Sequence, residues 1–150
     1  MKHILTTVLL LVLLASTEAA TAQGIGVGGQ IGDPTGITIR IGSTGTAFDI
    51  AAGWNISNDE LFAQAHYIPS QIALGAVPAQ LRLFYGPGLF VGTRGRPARD
   101  DKASFGVSFV TGLSFWTGPV EIFGQLTPRL QLVESTDFSL GGAAGLRYYF

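Results

Sequence analysis

The sequence predicts an all-β protein: an eight-stranded antiparallel up-and-down barrel behind a cleavable signal peptide. Three observations carry this. Apolar and polar residues alternate with a period of two along nearly the whole chain after residue 23. Turn signals separate the alternating runs: Gly32-Asp33-Pro34, Ser43-Thr44-Gly45, Ser57-Asn58-Asp59, Thr117-Gly118-Pro119 and Glu134-Ser135-Thr136. Only 13% of the 150 residues are charged, about half the usual share of a soluble domain, while 47% are hydrophobic.

The first 22 residues stand apart. Met1-Lys2-His3 is a short positive region, and Ile4 to Ala15 is an apolar run too short to span a bilayer comfortably. Ala20 and Ala22 then supply small residues at −3 and −1 of a cleavage site. The reading is a Sec-type signal peptide over 1–22, cut after Ala22, and a barrel domain over 23–150. The rival, an uncleaved anchor helix, fits the short run and the A-x-A site less well. The chain has no cysteine, which excludes a lipoprotein anchor, disulfides, thiolate metal sites and a cysteine nucleophile. A formal net charge of −1 gives no electrostatic case for nucleic acid.

The expected strands are 24–32, 35–42, 46–56, 60–68, 80–92, 103–116, 119–133 and 137–150. The first, GIGVGGQIG, has small residues at its packing positions. Its glycines imitate a dinucleotide fingerprint, but that motif needs a following helix in a βαβ unit, and none follows. In the second, Ile37, Ile39 and Ile41 oppose Thr38 and Arg40. In the third, Phe48, Ile50, Ala52, Trp54 and Ile56 oppose Ala47, Asp49, Ala51, Gly53 and Asn55. The fourth carries Gln64 and His66, and Pro69 to Ala79 reads as a connection. In the fifth, Leu81, Leu83, Tyr85, Leu89 and Val91 oppose Gln80, Arg82, Phe84, Gly86 and Gly88. The sixth sets Phe105, Val107, Phe109, Leu113 and Phe115 against Ser104, Gly106, Ser108, Gly112 and Ser114. The seventh carries Glu121, Gln125 and Arg129, and the eighth sets Leu146, Tyr148 and Phe150 against Gly145, Arg147 and Tyr149. Most of these are near the 9–11 residues of a tilted membrane strand.

The polar face decides which side points in. A barrel in water would carry many Lys and Glu outside, yet Lys102 is the only lysine after residue 22. The polar face is mostly Gly, Ser, Ala, Gln and Thr with isolated charges, which suits the cramped interior of an eight-stranded barrel. The apolar face is continuous and rich in Phe, as a lipid-facing band is. The predicted lumen set is therefore Arg40, Asp49, Gln64, His66, Arg82, Glu121, Gln125, Arg129 and Arg147, joined by Gln30. Buried charges must be paired, so an Arg–carboxylate network is expected, with Asp33 or Glu60 balancing the arginine excess. Trp54, Trp116, Tyr67, Tyr85 and Tyr148 are read as interfacial girdle residues.

With both termini periplasmic, the short turns Ser43-Thr44-Gly45 and Thr117-Gly118 fall in the periplasm, and the charged run Thr93 to Lys102 falls outside. The Pro69–Ala79 connection is long for a periplasmic turn. Leu146, Tyr148 and the final Phe150 resemble the terminal assembly signal of outer-membrane barrels, which pairs as an added strand. The chain resembles a widespread family of small outer-membrane barrel proteins, similar in architecture to OmpA and OmpX barrel domains. The stretches that carry this are Gly32-Asp33-Pro34-Thr35-Gly36, Leu83-Phe84-Tyr85-Gly86, Glu121-Ile122-Phe123, Pro128 and Ser135-Thr136-Asp137-Phe138. The resemblance implies an outer-membrane location, with lipids, periplasmic chaperones and the barrel-assembly machinery as partners, and a monomer.

The expected role is structural or surface-interacting, without catalysis, metal or cofactor. The alternatives are a lipid- or ligand-interacting barrel, including a lipid A-modifying enzyme, and a soluble lipocalin-like carrier. A lipid-modifying site must face the membrane, whereas His66 points inward by parity. A carrier needs an apolar cavity, whereas the inward parity is polar. Asp100-Asp101 as a cation site is opposed by three preceding arginines. Aqueous porins need about sixteen strands.

Overall fold

A computed structural model describes residues 24–42, 45–55, 60–75, 81–94, 103–133 and 135–150. The predicted signal peptide with Ala20 and Ala22, the turn residues 43–44 and 56–59, and the charged run 95–102 lie outside these residues. Nine strands form: β1 (Ile25–Gly32), β2 (Thr35–Ile41), β3 (Ala47–Asn55), β4 (Glu60–Ile68), β5 (Ser70–Ala73), β6 (Leu81–Arg94), β7 (Ala103–Thr117), β8 (Val120–Gln131) and β9 (Asp137–Tyr149). No helix among the described residues is long and apolar enough to cross a membrane.

All pairings are antiparallel. β1 pairs β2, and each neighbour pairs in turn through β3 to β4. β4 pairs β6, which continues through β7 and β8 to β9, and β9 returns to β1. The ring is closed and eight strands around, because β4 and β5 are two pieces of one wall strand. β4 runs along β6 as far as His66↔Gly88, and β5 resumes at Ser70↔Tyr85, so four steps of one chain face three of the other. Pro69 sits in this one-residue bulge, where a missing N–H breaks no ladder bond. This corrects the expected Pro69–Ala79 connection. Ser70–Ala73 is strand, and Leu74 N still donates to Leu81 O (3.0 Å).

The register also gives the stagger of the ring. From Arg147, hydrogen-bonded neighbours lead to Gly28, Thr38, Ala51, Gln64, Phe90, Gly106 and Gln131, and back to β9 at Asp137. The path returns ten residues from its start. A closed ring with such a stagger has strands tilted by roughly 35–45° and an interior that side chains fill. At the hairpin after β7, Gly118 takes φ 58°, which L side chains rarely adopt, and Thr117 pairs directly with Val120.

The burial pattern is inverted relative to a water-soluble barrel. Ile37, Trp54, Phe138 and Leu140 are 60% or more exposed on the outer face. Arg40, Glu121, Arg147 and Arg129 are 2% exposed or less on the inner one. Inward apolar residues also occur, chiefly Phe62, Phe84, Phe90, Phe123 and Val110. Trp54, Tyr67 and Tyr148 are exposed on the outside as expected, and Tyr85 is half-buried. Trp116 departs from the girdle reading. It shares the inward parity of Ser114 and packs on buried Tyr149, ring centroids 4.5 Å apart.

Candidate functional site: the charged lumen

The inward side chains form two ionic groups and a neutral bridge. The larger group is a quartet from β2, β3, β8 and β9. Arg40 donates Nε and Nη2 to the two carboxylate oxygens of Asp49, each at 2.5 Å, and Nη1 to Glu121 Oε1 at 2.7 Å. Arg147 donates Nη1 to Glu121 Oε2 at 3.0 Å and Nε to Thr38 Oγ1 at 3.0 Å, and its Nη2 lies 3.5 Å from Asp49. Tyr149 adds its hydroxyl to Glu121 Oε2 at 2.8 Å. Two guanidinium groups and two carboxylates thus balance in full burial, the condition under which buried ions are tolerated.

The second group centres on Arg129 of β8. Its Nη1 is 3.0 Å from Asp33 Oδ2, and its Nη2 donates to Asp33 O (2.8 Å) and Gln64 Oε1 (3.2 Å). Of the two acids expected to balance the arginine excess, Asp33 pairs with Arg129, and Glu60 is buried at the start of β4.

Among the described residues, each of the three buried arginines lies over an aromatic ring. Arg40 is 4.4 Å from the Phe84 centroid, Arg129 is 4.4 Å from Phe62, and Arg147 is 3.8 Å from Phe123. A desolvated guanidinium over a ring face gains about 2 kcal/mol. These phenylalanines therefore adjoin the ionic structure, while Phe84 and Phe123 also belong to a buried apolar cluster with Ala47, Ile68 and Val110.

Between the groups, His66 Nε2 and Ser108 Oγ are hydrogen-bonded at 2.9 Å. His66 lies on β4 and Ser108 on β7, with β6 between them. The bond is possible because Gly88 of β6 stands in register with both. A Cβ there would run into the His66 ring. Asp49 is the cross-strand partner of His66, which assembles an acid, an imidazole and a hydroxyl on one line. Both Asp49 oxygens are already engaged by Arg40, however, and Ser108 is buried inside the barrel.

Of the predicted lumen residues, Arg40, Asp49, Glu121 and Arg147 meet in the quartet, Gln64 joins Arg129, and His66 joins Ser108. Gln125 is buried between the two groups along β8, and Arg82 is half-buried toward the chain-terminal end of β6. Gln30 donates Nε2 to Pro34 O at 2.9 Å. Sequence reasoning did not assign Tyr149, Thr38 or Ser108 to the network. All three carried the inward parity, which was the available signal. Among the described residues, no group of three or more His, Cys, Asp or Glu side chains could hold a metal ion.

The predicted assembly residues Leu146, Tyr148 and Phe150 point outward and are exposed. Phe150 N donates to Ile25 O at 3.1 Å, so it extends the β1–β9 ladder. Comparison with protein-family models, curated proteins and solved structures finds no match for this chain.

Proposed function

We propose that the chain is an integral outer-membrane β-barrel protein with a structural or surface-interacting role in the envelope. The observation that carries this reading is the inverted burial: Phe, Leu, Ile and Trp side chains cover the outer face of the strands, and arginine–carboxylate ion pairs fill the inside. An apolar surface of this extent is costly in water and matched to hydrocarbon, where every backbone group must also be paired, as closure provides. The first 22 residues act as the export signal, and lipids, periplasmic chaperones and the assembly machinery are its partners. Leu146, Tyr148 and Phe150 act as the recognition strand. The charged composition of Thr93 to Lys102 supports the surface-interacting part of the reading.

The test is cell fractionation with gel mobility. Full-length protein expressed in a Gram-negative host should appear in the outer-membrane fraction, with different mobility boiled and unboiled. A soluble periplasmic protein without a mobility shift would overturn the reading.

A further inference from the structure

We propose that the ionic quartet is a latch on one particular seam of the barrel, the β1–β9 seam where the first and last strands meet. The argument begins with what lies beneath the quartet. Its members stand on β2, β3, β8 and β9, and β1 runs between them. At this level β1 offers no side chain inward, because its two inward positions are Gly26 and Gly28. A Cβ at Gly26 would strike the Tyr149 ring, and one at Gly28 would strike the main chain at Leu146 and Arg147. The bare backbone of β1 is thus the passage over which β9 reaches β2.

The contacts that cross this passage are specific. Arg40 of β2 bonds Glu121 of β8 at 2.7 Å. Arg147 of β9 bonds Thr38 of β2 at 3.0 Å and lies 3.5 Å from Asp49 of β3. Each spans the seam through the lumen, independently of the backbone ladder. Opening β1 from β9 would pull these partners apart. It would leave buried charges without their partners, which is strongly unfavourable. The β6–β7 seam, on the far side of the ring, has a long ladder from Leu81↔Phe115 to Thr93↔Ala103 and takes no part in the quartet. The ladder at β1–β9 is shorter, from Gly26↔Tyr149 to Gly32↔Ala143. The latch reinforces a seam whose ladder is much shorter than that of β6–β7. It can form only when the last strand has closed on the first, so it marks completion of the ring.

The experiment uses the folded protein in detergent micelles and site-resolved amide hydrogen exchange. Arg147→Met and Tyr149→Phe should speed exchange on β1 and β9, by about tenfold for Arg147→Met and less for Tyr149→Phe, with β6 and β7 unchanged. A uniform rise, or none, would overturn the latch. Should Arg147→Met fail to fold, Tyr149→Phe keeps the test, since it removes one hydroxyl and keeps the ring. The absence of cysteine permits a second arm. Val27→Cys with Tyr148→Cys spans the proposed seam, and Leu89→Cys with Val107→Cys spans the control seam. After treatment with a short thiol cross-linker, only the first pair should restore slow exchange in the Tyr149→Phe protein. Equal rescue by both pairs, or by neither, would refute the assignment.

Discussion

Glu121→Gln tests how far the lumen depends on charge balance rather than shape. Glu121 is fully buried and accepts hydrogen bonds from Arg40, Arg147 and Tyr149. Glutamine keeps the volume and one acceptor oxygen but removes the charge, so the quartet passes from neutral to one net positive charge. Arg40 retains both bonds to Asp49, while Arg147 keeps only Thr38 at 3.0 Å and Asp49 at 3.5 Å. Breaking a buried ion pair by neutralising one partner costs about 3–5 kcal/mol, and the surviving amide acceptor places this case near 3. Adding Arg147→Met returns the cluster to neutrality around the intact Arg40–Asp49 pair. A balanced apolar replacement is close to neutral, so the double variant should lose less than the sum of the singles, with coupling of at least about 1 kcal/mol. The assay is reversible denaturant unfolding in lipid vesicles, followed by tryptophan fluorescence; Trp116 reports directly, since it packs on Tyr149. A single-variant cost under about 1 kcal/mol, or strict additivity of the two, would show that electrostatic balance does not hold the lumen together.

Two further outcomes follow from other parts of the wall. Gly88→Ala places a methyl group against the His66 ring and the Ala65 carbonyl. It should cost about 1–3 kcal/mol and displace the ring from Ser108, seen as a change in the His66 ring resonances; an unshifted ring would refute the close-approach argument. Leu126→Arg puts a charge on the exposed outer face midway along β8. In a bilayer it should cost up to about 2–4 kcal/mol, whereas on a water-facing wall it would stay within about 0.5 kcal/mol, so unfolding in vesicles tests the membrane reading itself.

Period-two parity made most of the fold legible. It located seven of the eight wall strands within a few residues and set Arg40, Asp49, Glu121 and Arg147 on one side of the wall. It failed where the period slips. Pro69 introduces an extra residue, and Ser70–Ala73 beyond it is too short to announce itself by alternation. Parity also could not say who meets whom. The bond from Arg40 to Glu121 joins residues 81 apart in the chain, and depends on a stagger that only the closed ring defines. Trp116 was misread because composition suggested a girdle while its parity pointed inward. The arginine–phenylalanine pairs were hidden for a similar reason: an inward Phe looks like an exception to a polar face until a guanidinium is placed over it.

The distribution of small residues explains why such a narrow barrel can hold three arginines. Eight strands leave an interior that side chains must fill without excess, and an arginine is among the longest. The wall beside two of them is stripped down. Gly26 and Gly28 clear β1 beneath Arg147 and Tyr149, and Gly141 lies against the Arg129 guanidinium. Gly88 lets His66 reach past β6. Large and small inward residues are therefore complementary across strands, and substituting one class constrains the other. Enlarging Gly141 would press directly on Arg129 and so on its bonds to Asp33 and Gln64. Shortening Arg129 would leave Phe62 and Gly141 facing a void, at a cost that grows with the cavity. The glycine content that looks like looseness in the sequence is what gives the ionic core its room.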